Sequence, residues 1–199
     1  MIKPATVSLS GGPLSAVRAW LVRALVLLIA FACLVNAAGE ANAATNEALE
    51  HRIKAAYLYK FLSYIEWPPD RFTRADSPFV VGVTGGDEIY RELVRITGGR
   101  TASGRAITVR QLRSGDSLAG MHVLYVAGDE LPGTATAVRG LLTITDNASS
   151  VAHAGSVINF RFIGGKVRFE VSLPAAERND LRLSSRMLSV ATTVHSEAS

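Results

Sequence analysis

The residues that could carry covalent or metal chemistry are few and scattered. His51, His122, His153 and His195 are the only histidines, and none has a second ligand three or four places away, as a helical metal site would need. The single cysteine, Cys33, stands in an apolar N-terminal run. No G-x-S-x-G elbow occurs, and Ser184-Ser185 sit where a helix would be capped. No carboxylate pair is set in an acid–base motif. The residues therefore predict no catalytic group, no metal and no cofactor. One stretch resembles a ligand loop: Val81–Glu88, VGVTGGDE, in which Thr84, Gly85, Gly86 and Asp87 join a buried strand to a helix start. Glycines there can cradle an anion, but neither phosphate-binding glycine motif is present. A plain turn is the simpler reading. A small-ligand site is the alternative, since open α/β sheets bind ligands beyond their strand C-termini.

Two further sets of residues suit recognition. Tyr57, Tyr59, Tyr64 and Trp67 crowd one helix, and Tyr and Trp favour surfaces that are half wet. Some of them are expected to stay exposed as an interface. Asn159, Arg161, Arg168 and Glu170 share the polar face of a hairpin, and would hold a partner carboxylate or simply face solvent.

The elements that carry these residues can be read from periodicity. From Glu47 to Glu66 the pattern is helical, with Leu49, Ile53, Ala56, Tyr57, Phe61, Tyr64 and Ile65 on one stripe widened by Leu58 and Leu62. Lys54 and Lys60 project from it, their stems packed and their ammonium groups expected in water or on a partner. Pro68-Pro69 stop the helix at Trp67. Then come a strand at Pro78–Thr84, a helix from a capping Asp87 to Thr97, and strands at Ala106–Leu112 and Met121–Ala127, the last with His122 as a core or edge residue. A weak helix near Thr134–Arg139 leads to a strand at Leu141–Thr145. Strand–crossover–strand repetition predicts an α/β domain: a central, mostly parallel mixed sheet with helices on both faces. Ser156–Phe162 and Lys166–Ser172 form a C-terminal hairpin about Gly164-Gly165. In that register Phe162 opposes Val167, Phe160 opposes Phe169 and Ile158 opposes Val171. On the other face Arg161 opposes Arg168 and Asn159 opposes Glu170, with Arg161 and Glu170 as diagonal neighbours. Short helices are expected after Pro174 and after Ser184 or Ser185, the last burying Met187, Leu188 and Ala191.

Residues 1–43 read as a secretory signal peptide: Arg18 and Arg23, then the apolar run Ala24–Val35, then a small-residue site at Ala41-Asn42-Ala43. Twelve apolar residues fall short of the ~20 that span a bilayer. A retained anchor and lipidation at Cys33 are the alternatives, the second disfavoured by Phe31. Residues 44–199 form the predicted exported domain. Removing Lys3, Arg18, Arg23 and Glu40 from 21 basic and 17 acidic residues leaves 18 and 16, a net charge of +2. That mild balance argues against nucleic acid as a partner. The exported domain has no thiol, so disulfides and cysteine chemistry are excluded from it.

IKAAYLYKFLSYIEWP (Ile53–Pro68), VGVTGGD, HVLYVA, LLTITD, GSVINFRFIGGKVRFEVSLPAAE and LRLSSRMLSVA occur in the order that resembles the YfiR-like periplasmic proteins. The resemblance covers essentially all of the exported domain. It implies an α/β fold without enzymatic activity, and a periplasmic repressor that binds the sensor domain of an inner-membrane diguanylate cyclase, lowering cyclic di-GMP output and with it biofilm and exopolysaccharide production. It implies further that an outer-membrane lipoprotein sequesters the repressor in some systems, and that homodimers are common. Lys60 stands where relatives often have Asn, Ala154 replaces a glycine, and Ser172 replaces an Asn. Disulfide-dependent control found in relatives has no counterpart here.

Overall fold

The computed structural model describes residues 44–128, 131–147 and 155–196. The predicted signal peptide, with Cys33, lies outside the described residues, as do His153 and Ala154. The chain separates into two compact units, Met1–Glu47 and Ala48–Ser199. Residues 44–47 of the first are helical. The second opens with a helix over 48–64 (α1) and a two-residue strand Ile65–Glu66 (β1). There follow β2 (Phe79–Thr84), α2 (Asp87–Thr97), β3 (Thr101–Ala102), β4 (Arg105–Leu112), β5 (Val123–Ala127), a 3-10 turn Gly133–Ala137 and β6 (Leu142–Asp146). The chain continues through β7 (Ile158–Ile163), β8 (Lys166–Ser172), α3 (Leu173–Arg178), β9 (Arg182–Leu183), α4 (Ser185–Leu188) and β10 (Thr193–His195).

Eight strands form one mixed sheet in the order β10-β8-β7-β6-β5-β2-β4-β3. From β4 to β7 every pairing is parallel; β8 returns antiparallel, and β10 runs parallel to β8. The fold is the expected α/β class, and the hairpin register is the predicted one at every pair from Ile158↔Val171 to Phe162↔Val167. Gly164 and Gly165 have φ of 57° and 73°, the left-handed pair a two-residue turn demands. Arg161 reaches Glu170 diagonally at 3.5 Å.

Alternation along the parallel strands divides the core. Phe79, Val81 and Val83 of β2, with Val123, Tyr125, Leu142 and Ile144, join the cluster that includes buried residues of α1 and α2. Leu124 and Val126 turn to the other face, where Leu112, Leu118, Met121 and Ala135 of the 3-10 turn cover them. That turn stands where a helix over Thr134–Arg139 was expected; Pro132 precedes it, and the segment is too short and polar to hold a longer helix.

The α1 helix departs from expectation in two ways. It ends at residue 64 rather than at Trp67, because Ile65 and Glu66 are already extended and pair with Leu183 and Arg182. Its buried face is Lys54, Ala55, Leu58, Phe61 and Leu62, continued by Ile65 of β1, whereas Leu49 and Ile53 of the predicted stripe are exposed. The helix is thus rotated by roughly one residue step, about 100°, toward its leucines. Burying that face requires a partner for Lys54, and the sheet supplies one. Elsewhere, Asp87 does not cap α2: it is the first helical residue, and its carboxylate accepts from Gln111 Nε2 at 2.6 Å. Ser172 and Ser184 do cap α3 and α4. Two edge strands, β3 and β10, carried no signal in the sequence.

His122 is a core residue immediately before β5. Its Nδ1 accepts from Val80 N at 3.1 Å, its Nε2 donates to Arg71 O at 3.2 Å, and Phe72 stacks on it at 4.5 Å. Both ring nitrogens are used by a neutral imidazole. Burial holds its pKa below the usual 6.5, against the pull of the Arg71 hydrogen bond.

Candidate functional site

The C-terminal ends of the parallel strands gather the unusual side chains. Tyr57 and Phe61 of α1 pack on Phe160 and Phe169 of the hairpin, with ring centroids 5.2–6.1 Å apart. Each such pair contributes roughly 0.5–1.5 kcal/mol beyond the area it buries, so helix and hairpin form one stiff unit. One turn before Leu58, Lys54 is buried to 4% exposure. Its ammonium donates to Glu50 and, at 2.6 Å, to Asp146 Oδ2 at the end of β6. The same oxygen accepts the Tyr125 hydroxyl at 2.7 Å. Burial, then the adjacent Asp146 charge, push the Tyr125 pKa up, so the phenol stays a donor. The expectation that Lys54 reaches water or a partner is therefore corrected: its charge is spent inside the domain. Lys60 is exposed, as expected.

Beyond the aromatic quartet the apolar surface continues into solvent. Leu49 and Ile53 precede Tyr57 at successive four-residue steps on the same side of α1, and are 51% and 36% exposed. Phe162 lies two residues past Phe160 on the same side of β7 and is 55% exposed, with Ile163 beside it at the tip, 47% exposed. None of the four is an expected recognition residue: Leu49, Ile53 and Phe162 read in the sequence as apolar-face residues, and Ile163 as part of the link between the hairpin strands.

The expected recognition residues do not converge. Tyr57 is half-buried in the quartet. Tyr59 turns to the opposite end of the sheet, donating to Thr101 O at 3.1 Å beneath the Arg100 guanidinium. Tyr64 is 36% exposed by itself. Trp67 is buried: its indole donates to His122 O at 3.2 Å and its ring meets Phe79 edge-on at 5.0 Å. Trp67 is a spine residue, not a surface one. Arg161, Arg168 and Glu170 occupy the other side of the hairpin, Arg168 exposed and Glu170 also 3.9 Å from His195 of β10. That side grades into a buried polar row in which Thr145 meets Ser156 at 2.7 Å and Asn159 at 3.0 Å.

The glycine loop is shaped by packing. A Cβ on Gly85, where φ is +70°, would stand 2.8 Å from Ala127 O, and one on Gly86 would stand 3.1 Å from the Tyr125 ring. Asp87 and Glu88 already place negative charge on the first turn of α2. Thr84 lines a cavity of about 210 Å3 on the opposite side, with Leu112, Leu118, Leu124 and Val126 at its floor and Arg113 and Asp116 at its mouth. Thr84, Gly85, Gly86 and Asp87 thus have separate neighbours. Among the described residues no cluster of three or more His, Cys, Asp or Glu is arranged to hold a metal, and no helix is long and apolar enough to cross a membrane.

A family model described as YfiR/HmsC-like matches residues 51–192. The chain belongs to that family. The YfiR/HmsC-like match begins inside α1 and ends just before β10, so it takes in the aromatic quartet, Lys54, Tyr125, Asp146 and the hairpin tip. The family is one of periplasmic regulators in cyclic di-GMP signalling, regulatory rather than catalytic. No individual curated protein matches the chain.

Proposed function

We propose that this YfiR/HmsC-like chain is a periplasmic repressor that binds the sensor domain of an inner-membrane diguanylate cyclase and holds it inactive. Lower cyclic di-GMP, and with it less biofilm and exopolysaccharide, is the output. An outer-membrane lipoprotein that sequesters the repressor would release the cyclase. The observation that carries this reading is the set of exposed apolar side chains in line with the Tyr57/Phe61/Phe160/Phe169 quartet: Leu49 and Ile53 on the Tyr57 side of α1, and Phe162 on the Phe160 side of β7. Large apolar side chains held rigid at a surface lose little entropy on docking and suit a protein contact. The polar side of the hairpin, with Arg161, Arg168 and Glu170, borders the same tip and supplies a charged rim. Tyr57 ties the helix side to the hairpin side through the quartet, and Tyr64 stands exposed separately, further along α1.

Deletion of the gene, with intracellular cyclic di-GMP as readout, is the direct test; unchanged levels would sink the repressor reading. Phe162→Asp with Ile53→Asp should abolish capture of the purified sensor domain while leaving thermal unfolding nearly unchanged.

A second reading, a small-ligand sensor, rests on the cavity beside Thr84. Its apolar floor and charged mouth would take a compact amphiphilic molecule. Leu124→Trp would fill that cavity; a repressor that needs the ligand would lose its response, and one that does not would be unaffected.

A further inference from the structure

The sheet has an open flank far from the hairpin. β3 pairs with only Thr101↔Ala106 and Ala102↔Arg105, leaving Ile107–Leu112 of β4 without an outer neighbour among the described residues. The β3–β4 turn is Ser103-Gly104, with φ of 47° and 76°, a two-residue hairpin. The residues flanking such a turn exchange both main-chain hydrogen bonds, so the N–H and C=O of Arg105 point outward from β4. By alternation, so do those of Ile107, Val109 and Gln111, while the even-numbered residues face β2. Beside this row of open donors and acceptors runs a groove of about 500 Å3, walled by Tyr90, Val94 and Ala106 and floored by Ile107 and Val109. Val94 is 45% exposed there.

Basic charge is in excess around the edge. Glu88 and Glu92 of α2 are paired with Arg91 and Arg95, while Asp87, at the Gln111 end of β4, accepts from that neutral amide and keeps its charge. Among the described residues Arg110, on the sheet face away from the groove, has no ionic partner, and Arg100 at the groove's end lies over the Tyr59 ring.

We propose that the outer edge of β4, with the groove beside it, is a docking site for an extended acidic segment of a partner protein that adds to the sheet as a further strand. Main-chain bonds to Ile107, Val109 and Gln111 provide affinity. Alternate apolar residues of the segment enter the groove between Tyr90, Val94 and Val109. The carboxylates between them fall on the opposite face, where Arg110 stands, and a terminal one meets Arg100. This site lies at the opposite end of the strand order from the hairpin tip, so its fate and that of the repressor reading are separate.

The probe is a short fluorescent peptide alternating Val with Glu, compared with one alternating Val with Lys, added to the purified protein. The expected result is saturable binding of the acidic peptide, about tenfold weaker for the lysine peptide and about tenfold weaker for Arg110→Glu with Arg100→Glu. Hydrogen exchange should slow at the Ile107, Val109 and Gln111 amides when the acidic peptide is added, and not at Thr108 or Arg110. Equal binding of both peptides, no binding, or unchanged exchange at those three amides would overturn the proposal. So would protection of the same amides by self-association of the protein that the acidic peptide cannot displace.

Discussion

The hairpin end and the β4 end of the sheet are built on opposite plans. At β7–β8 the strands are covered on one side by an aromatic helix face and carry on the other a hydrogen-bonded Thr145–Ser156–Asn159 row, so side chains settle the geometry. At β4 Ile107 and Val109 are only half-buried, the outer main chain beyond β3 is open, and the strand is held largely by its backbone pairing to β2. A region held by side-chain packing is stiff and intolerant of change. One held by backbone pairing at an edge is tolerant and available to another strand.

Substitutions should separate the two plans sharply. Phe160→Ala, at a fully buried ring that touches Tyr57, Phe61 and Tyr125, should cost about 3–5 kcal/mol in urea unfolding. Ile107→Val, on the half-buried edge, should cost about 0.5 kcal/mol; comparable losses would erase the distinction. Next in size is the buried charge. Lys54→Met leaves the Asp146 and Glu50 carboxylates, each about a fifth exposed, without their cation. Partial exposure tempers the cost to about 2–3 kcal/mol, and a Lys54/Asp146 double-mutant cycle should recover a favourable coupling. Additive single effects would show that the pair is incidental.

Backbone substitutions come third. Gly85→Ala combines a left-handed φ with a 2.8 Å approach to Ala127 O and should cost about 1–3 kcal/mol. Gly99→Ala has a similar φ, +69°, but nothing within 4 Å, and should cost about 1 kcal/mol. Equal values would mean the loop is not pressed onto β5. The smallest effect is a pH slope. Because the folded state holds the His122 pKa below its unfolded value near 6.5, the unfolded chain binds the extra proton first. The stability tied to neutral His122 is therefore complete above pH 6.5 and is lost as pH falls toward the folded pKa. His122→Asn should flatten that part of the stability profile measured by thermal unfolding; an unchanged slope would place its origin elsewhere.

How far the sequence could be read follows from the range of each interaction. Strand alternation, the Gly164-Gly165 turn and the helix-stopping Pro68-Pro69 act over a few residues, and the hairpin register, the α/β order and most strand positions follow from them. The rotation of α1 did not follow, because Leu58 and Leu62 against Tyr57 and Tyr64 leaves two nearly equal apolar faces. Which one turns inward depends on Asp146, 92 residues away from Lys54, and on Tyr125 between them. The depth of Trp67 was hidden for the same reason: its indole partner is a carbonyl 55 residues away, His122 O just before β5. Local patterns decided which elements exist and how neighbours in the chain pair. Only the assembled sheet, by bringing distant strand ends beneath one helix, decided which side chains are core, which charge is buried and which surface is left for another protein.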